Sequence, residues 1–344
     1  MAPSNQQRLN RRLNAYVPSS PTDHTKGFVS DLFKVLPKGG QQNLVENIFS
    51  LDDDGLRQHM QHIHDAMLVP LRAAGGKTPT EITLSPRYGE DLKSLDIDPI
   101  SRNSQSQLRA HCLERDGGKC LATGVYEPKF TPLPPNAIAV PTNASHIIPF
   151  AMGIFNRQNT PEVHRHSEIW TTIGRYFPKL HRTMFTSEQI NTEQNIMTLD
   201  SQIHGAFGAF QFAFMATRVR HEYRLELFDD MPSGLAVRLP ESRMVRFEVH
   251  KGDWQLPNPD FLAMHAAIAK FFHMQGHGER IDKLLDRYQE CGGLAPSGST
   301  NVEALLSVSG LSLMSSNVAK EPEKEGKKKI DNPSMVGRGA LQEN

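Results

Sequence analysis

The sequence predicts an α+β chain, mostly helical, with a strand–loop–strand–helix unit at its centre and a small additional antiparallel sheet. Three observations predict it. Met60, Ile63, Met67 and Leu71 recur along one stripe of a 3.6-residue period. The run NIMTL (195–199) reads as a short strand, and Asp200 or Ser201 behind it can cap a helix starting at Gln202. Tyr223, Leu225 and Leu227 alternate with Arg224 and Glu226, and Val245, Phe247 and Val249 alternate with Arg246 and Glu248, which is the period of half-buried strands.

Taken in order, residues 1–22 are rich in Asn, Gln, Arg, Pro and Ser and read as a disordered arm. Residues 23–95 form a helical region. Asp52, Asp53 and Asp54 stand where a cap and dipole-complementing acids belong, and AAGGKTPTEITLSPRYG reads as a linker or long loop. Residues 96–290 hold the denser motifs. A helical lead-in, SQSQLRAHCLERDGG, stops at Gly117-Gly118, and a turn follows at KCLATG. A strand is expected at 144–148 and a helix at 168–180. The segment LAVRL is expected to pair with the two alternating strands. A helix with Phe261, Met264, Ile268 and Phe272 on one face and a second one near 279–288 close this region. Residues 291–344 are Ser/Gly/Pro-rich, run into KEPEKEGKKK, and read as a disordered tail.

Composition narrows the function classes. Of 344 residues, 38% are apolar and 22% charged, a little polar for a fully packed chain. Lys+Arg and Asp+Glu are both 38, which excludes a strongly basic chromatin-type protein. Residues 101–220 carry 12 basic against 8 acidic side chains, a slight local lean toward a phosphate-bearing partner. No apolar run is long enough for a membrane span, and the N-terminus lacks the apolar core of a secretory signal. Cys112, Cys120 and Cys291 have no C-x-x-C spacing, so neither a zinc knuckle nor a disulfide framework is expected. An intracellular setting, nucleus or cytoplasm, fits this sparse cysteine use.

Three residues of the central segment form the informative constellation: His146 in Ser145-His146-Ile147-Ile148-Pro149, Asn195 at the start of NIMTL, and His204 nine positions later. His146 would end a strand, Asn195 would sit in the loop before a second strand, and His204 would lie in the first turns of the next helix. Each also has a structural reading: a buried histidine after a strand, a turn asparagine, and a packed core histidine beside Ile203, Phe207 and Phe210.

The ordered set resembles the HNH endonucleases, whose ββα-metal (His-Me finger-like) unit carries a His-Ile-x-Pro strand end, a loop Asn and a helix His. The text RDGGKCLATG, ASHIIPF and NIMTLDSQIHGAFGAFQFAF is most similar to HNH domains of fungal proteins. The later stretch LPNPDFLAMHAAIAKFFHMQGHGERIDKLL resembles their C-terminal part. The resemblance spans roughly residues 105–290. It implies phosphodiester hydrolysis in a nucleic acid, DNA before RNA, with one divalent metal ion (Mg, Mn, Ni or Zn). By the same resemblance His146 is the general base, His204 a metal ligand, and Asn195 braces the loop and orients His146 by hydrogen bonding.

Two positions depart from that pattern. Many HNH members carry an acid or His before the base and a His, Asp or Asn four residues after the helix His. Here these positions hold Ser145 and Gly208. Asp200, His164 and His166 are the other candidate ligands within reach by sequence. The departures sustain a second reading, an HNH scaffold without turnover that binds nucleic acid or protein. Elsewhere His59, His62 and His64 read as interface or solvated histidines rather than a metal site, and His273 and His277 sit at a helix end. Cys120 reads as a small residue packing its turn, Trp170, Phe177 and Leu180 as core, and Lys327 to Lys329 as solvated or a weak nuclear signal.

Overall fold

The computed structural model describes residues 3–74, 100–153, 158, 160–181 and 190–291. The linker beyond Ala74, which ends a helix, and the expected tail beyond Cys291 with its lysines fall outside them. The first element corrects an expectation: Asn5–Ala15 is a helix, α1, not a disordered arm. Ser4 Oγ accepts from the Gln7 amide while the Gln7 side chain accepts from the Ser4 amide, a reciprocal cap. Leu9 and Leu13 then share one face, and Tyr16 just beyond joins them in the core. Arg12 ties α1 to Asp53 at 2.9 Å.

Helices α2 (Thr25–Val35), α3 (Lys38–Phe49) and α4 (Asp53–Ile63) follow, with Asp52 capping α4 through the Gly55 amide. A π turn at His64–Leu68 leads into α5 (Val69–Ala74), just ahead of Pro70, which has no amide hydrogen to donate. Met60, Ile63, Met67 and Leu71 are all buried, as their spacing predicts. After α6 (Ile100–Arg115) the chain stops at Gly117 and Gly118, with φ of +68° and +70°. A Cβ on Gly118 would stand 2.1 Å from the Phe130 ring, so only glycine both turns the chain and leaves room there.

Strand β1 (Thr142–His146) leads to α7 (Thr160–Tyr176) and α8 (Pro178–His181), and strand β2 (Ile196–Asp200) to α9 (Ser201–Gly208). The expected strand thus lies two residues earlier than 144–148. Next come β3 (Phe212–Ala216), β4 (Glu222–Leu227), a helical turn α10 (Ser233–Ala236) and β5 (Met244–Arg246). The three strands make an antiparallel sheet in the order β3-β4-β5. LAVRL is therefore not its third strand. Its first residues turn helically after Pro232, and the strand beside β4 is FAFMA.

Helix α11 (Pro259–His273), capped by Asn258, packs on β3 and behind α9. His265 makes that contact. Its ring stacks on Phe207 at 3.8 Å and Phe210 at 4.6 Å, and its Nε2 bonds the Phe207 carbonyl at 3.0 Å. Helix α12 (His277–Cys291) joins the N-terminal helices. Arg72 forks onto Asp282 with two 2.8 Å bonds, and His277 meets buried Asp31 at 3.2 Å. A close approach fixes the α3–α7 crossing, where a Cβ on Gly40 would stand 2.0 Å from the Tyr176 carbonyl oxygen.

His265 gives the fold a definite pH response. Burial is the main cause that pushes its imidazole from 6.5 down to about 3, against the opposing Phe207 bond. The neutral ring is what folds. Its contribution is complete above pH 6.5, the unfolded value, and is lost as pH falls from there toward 3. Full protonation would cost on the order of 5 kcal/mol. Urea unfolding at pH 7.5 and 5.0 should show the wild type losing about 2 kcal/mol more than His265→Phe. Equal losses in the two proteins would remove His265 from the acid response.

Candidate active site

The site grows from the β1–β2 pair. The strands are antiparallel, with Asn143 opposite Leu199, Ser145 opposite Met197 and His146 opposite Ile196. Alternation sends Asn143, Ser145, Met197 and Leu199 to one face and Ala144 and Ile196 to the other. Ala144 and Ile196 pack with Leu108 and Cys112 of α6. Met197 and Leu199 belong to the main core with Ile203, Ala206 and Phe207 of α9. The strand pair thus lies between two helices, and the face carrying Asn143 and Ser145 looks toward α9.

One buried ion pair fixes the pair from behind. Arg115 and Asp116 are both 0% exposed. Arg115 Nε and Nη2 donate to the Asp116 carboxylate at 2.7 and 3.0 Å. Its remaining bonds reach the carbonyls of Glu193, Ile196 and Gln255 at 2.7, 2.8 and 2.9 Å. Asp116 Oδ2 also accepts from the Thr198 amide at 2.9 Å. Burial opposes the guanidinium charge, but the fork onto Asp116 outweighs it and holds Arg115 above its ordinary pKa. The KCLATG turn docks beside it. Leu121 donates its amide to the Thr198 carbonyl, and buried Cys120 accepts from the Thr123 amide through Sγ at 3.4 Å.

Asp200 begins α9. Its Oδ1 accepts from the amides of Gln202 and Ile203, and Oδ2 faces Thr123 Oγ1 and Arg238. The carboxylate is thereby committed to capping, which answers the Asp200-or-Ser201 alternative.

Asn195 is fully buried, and its amide is shared among three backbone partners. Oδ1 accepts from the Ile148 amide at 2.9 Å, and Nδ2 donates to the carbonyls of Ile148 and Ile190, both at 3.0 Å. Its own carbonyl accepts from the Ile147 amide at 2.8 Å. Asn195 therefore closes the neck of the long loop between the strands. It does not touch the His146 ring.

The ring partner of His146 is Asn191, a residue that sequence reasoning missed. His146 Nε2 stands 3.0 Å from Asn191 Oδ1; with the amide in this orientation the ring hydrogen sits on Nε2, since an amide oxygen only accepts. His146 Nδ1 is buried with no hydrogen-bond partner, and Phe150 lies against the ring at 5.4 Å. Burial, the largest cause, and then the His204 ring push the imidazole from 6.5 down to about 4, against the opposing Asn191 bond. His204, also buried, is lowered to about 4 by burial. Its Nδ1 lies 3.4 Å from the side-chain nitrogen of Asn143. The His204 ring thus adds a smaller lowering to that which burial gives His146.

The other sequence candidates are elsewhere. His164 is exposed, and His166 accepts from the Trp170 indole at 2.9 Å. His59 bonds Tyr176, His62 bonds Thr172 and His64 bonds Asp65. His273 bonds the Phe210 carbonyl. Among the described residues, no three His, Cys, Asp or Glu side chains gather as a metal-holding group. Ser145 Oγ, at the first departing position, is completely buried and has no hydrogen-bond partner. At the second, Gly208 offers no side-chain donor.

Residues 120–215 match the model of a family described as HNH endonuclease. This supports an HNH nuclease domain within the chain, in an α+β setting of helices and small antiparallel sheets. The matched segment contains His146, Asn195 and His204, but neither Arg115 and Asp116 nor α11. No curated protein and no solved structure matches the chain significantly. No helix among the described residues is long and apolar enough to cross a membrane.

Proposed function

We propose that this chain is a metal-dependent HNH-type endonuclease that hydrolyses phosphodiester bonds in DNA, with β1, β2 and α9 serving as the ββα-metal unit. One observation carries the reading. The Asn191 bond leaves the lone pair of His146 on Nδ1, and Nδ1 has no other partner. A neutral imidazole held in one tautomer, its second nitrogen left without a partner, is what a general base requires.

In this reading His146 Nδ1 takes the proton of the water that attacks phosphorus. Asn191 keeps the ring oriented and its tautomer fixed, and Asn195 holds the strand end from which the ring projects. His204 supplies an imidazole donor to the divalent ion, which when bound contributes charge stabilisation at the phosphate and the leaving oxygen. The donor chemistry fits such an ion. A neutral imidazole is a ligand that such an ion takes, and Ser145, next to His146 in sequence, carries a buried hydroxyl with an unmet bond.

Plasmid nicking by the purified protein with Mg²⁺, Mn²⁺, Ni²⁺ or Zn²⁺ tests this. Nicking should appear with at least one ion, vanish on chelation, and fall at least a hundredfold in His204→Ala. A folded protein that nicks with none of the four ions would sink the enzyme reading. It would leave the alternative motivated by Ser145 and Gly208, an HNH scaffold that binds without turnover.

A further inference from the structure

The β3–β4 hairpin ends in a charged tip that lies just beyond the matched segment 120–215. Phe212, Ala213 and Phe214 of β3 are buried, and the chain then leaves the core. Ala216, Arg218, Val219 and Arg220 are exposed, Val219 by 47%. The turn is closely built all the same. Thr217 donates its amide to the Glu222 carbonyl at 3.0 Å, and Glu222 donates its own to the Val219 carbonyl at 3.2 Å. Thr217 Oγ1 accepts from the Val219 amide at 3.0 Å and donates to the Glu222 carboxylate at 2.8 Å. His221 closes the turn at φ +59°, and its carbonyl accepts from the Phe247 amide at 2.9 Å.

Charge at the tip is one-sided. Lower on the same sheet, Arg224 pairs with Glu226 and Arg246 with Glu248, each at 3.1 Å. Arg218 and Arg220 meet no carboxylate among the described residues, and Arg220 Nε donates to His221 Nε2 at 3.1 Å. Two unpaired guanidiniums on a turn already fixed in shape can meet phosphate oxygens with little further ordering of the backbone. Val219 sets an apolar side chain between them, which suits a groove flanked by phosphates. A single strand is gripped largely by stacking its bases on exposed aromatic rings. The one ring of this turn, His221, is half-buried with Nδ1 closed off from solvent.

We infer that the Arg218–Val219–Arg220 tip is a contact for the phosphate backbone of duplex DNA, separate from the cutting site. The inference rests on the nuclease reading for its choice of partner, while the unpaired cations and the built turn stand without it. Strand β3 follows directly on α9, and its residues, at about 3.3 Å each, carry the tip roughly 15 Å away. A turn of duplex spans about 34 Å, so the tip and α9 can reach one duplex together. A backbone contact holds the duplex in register and carries no sequence preference of its own.

Fluorescence anisotropy of the full-length chain with a labelled duplex, in chelator so that nothing is cut, tests this apart from cleavage. The double variant Arg218→Gln, Arg220→Gln should bind roughly tenfold or more weakly at low salt, equally on two unrelated sequences. Its slope of log affinity against log salt should be shallower by about 2, one phosphate for each arginine. The control pair Arg224→Gln, Arg246→Gln, which removes cations already neutralised, should change affinity less than about threefold. Circular dichroism checks the fold of each. No duplex binding by the wild type, or wild-type affinity and slope in the folded tip variant, would overturn the inference. So would an equal loss on a single strand of the same length, or polyglutamate competing as well as duplex. Duplex binding with these variant responses but no nicking under any metal would uphold the tip and defeat the nuclease reading. Nicking beside an unchanged tip-variant titration would do the reverse.

Discussion

His146→Ala is expected to lower nicking about a thousandfold, within the range that a positioned general base contributes. The variant should stay folded, because His146 lies partly open at a strand end and its one side-chain bond is to Asn191. Asn191→Ala should lose less, about tenfold to a hundredfold, since the base remains while its orientation and tautomer are no longer held. The two losses should not add in the double variant, because Asn191 acts only through the ring. Gel-resolved nicking rates beside matched thermal midpoints provide the check. Wild-type nicking by a folded His146→Ala protein would take the base away from this residue and leave the fold assignment intact.

Arg115→Leu is expected to be the most destabilising single change at the site. It leaves the Asp116 carboxylate buried with the Thr198 amide and strips the carbonyls of Glu193, Ile196 and Gln255 of a donor. Breaking such a pair from one side costs about 3–5 kcal/mol, a large share of ordinary domain stability. Arg115→Lys should recover only part of it, since an ammonium cannot present a planar fork to a carboxylate and three carbonyls together. Adding Asp116→Asn to Arg115→Leu should restore some stability by removing the stranded charge. Urea unfolding followed by the fluorescence of Trp170 and Trp254 measures all four proteins. A loss below 1 kcal/mol for Arg115→Leu would show that water reaches these groups.

Much of this architecture is legible in the sequence because the relevant signals are local. The α4–α5 stripe, the Gly117-Gly118 stop, the Asp200 cap and the alternation of β4 each depend on residues a few positions apart. The errors have equally physical causes. Helix α1 announces itself by Ser4 and Gln7 three apart and by Leu9 and Leu13, but this signal is submerged in Asn, Gln and Arg. FAFMA follows α9 as a continuous apolar run, whose periodicity does not separate strand from helix, while LAVRL alternates well enough to imitate a strand.

At the candidate site, sequence order singles out His146, Asn195 and His204 but not the side chains that touch the two rings. Asn191 meets its histidine across 45 positions and Asn143 across 61, separations that leave no local pattern. The resemblance also assigned Asn195 a direct hold on His146. In the structure its three bonds go to backbone, and Asn191 takes the ring.

The Arg115 hub also sets the physical limits of the smallest autonomous fragment. Its guanidinium draws together chain from before the family match, from within it, and from Gln255 well beyond it, while His265 supports α9 from further still. A piece trimmed to residues 120–215 would expose the back of the β1–β2 pair and the Phe207 face of α9 to solvent. Anyone grafting this unit onto another protein, or expressing it alone, must carry chain from ahead of Arg115 through the end of α11. Recognition of the motif and independence of the motif have different boundaries in this molecule.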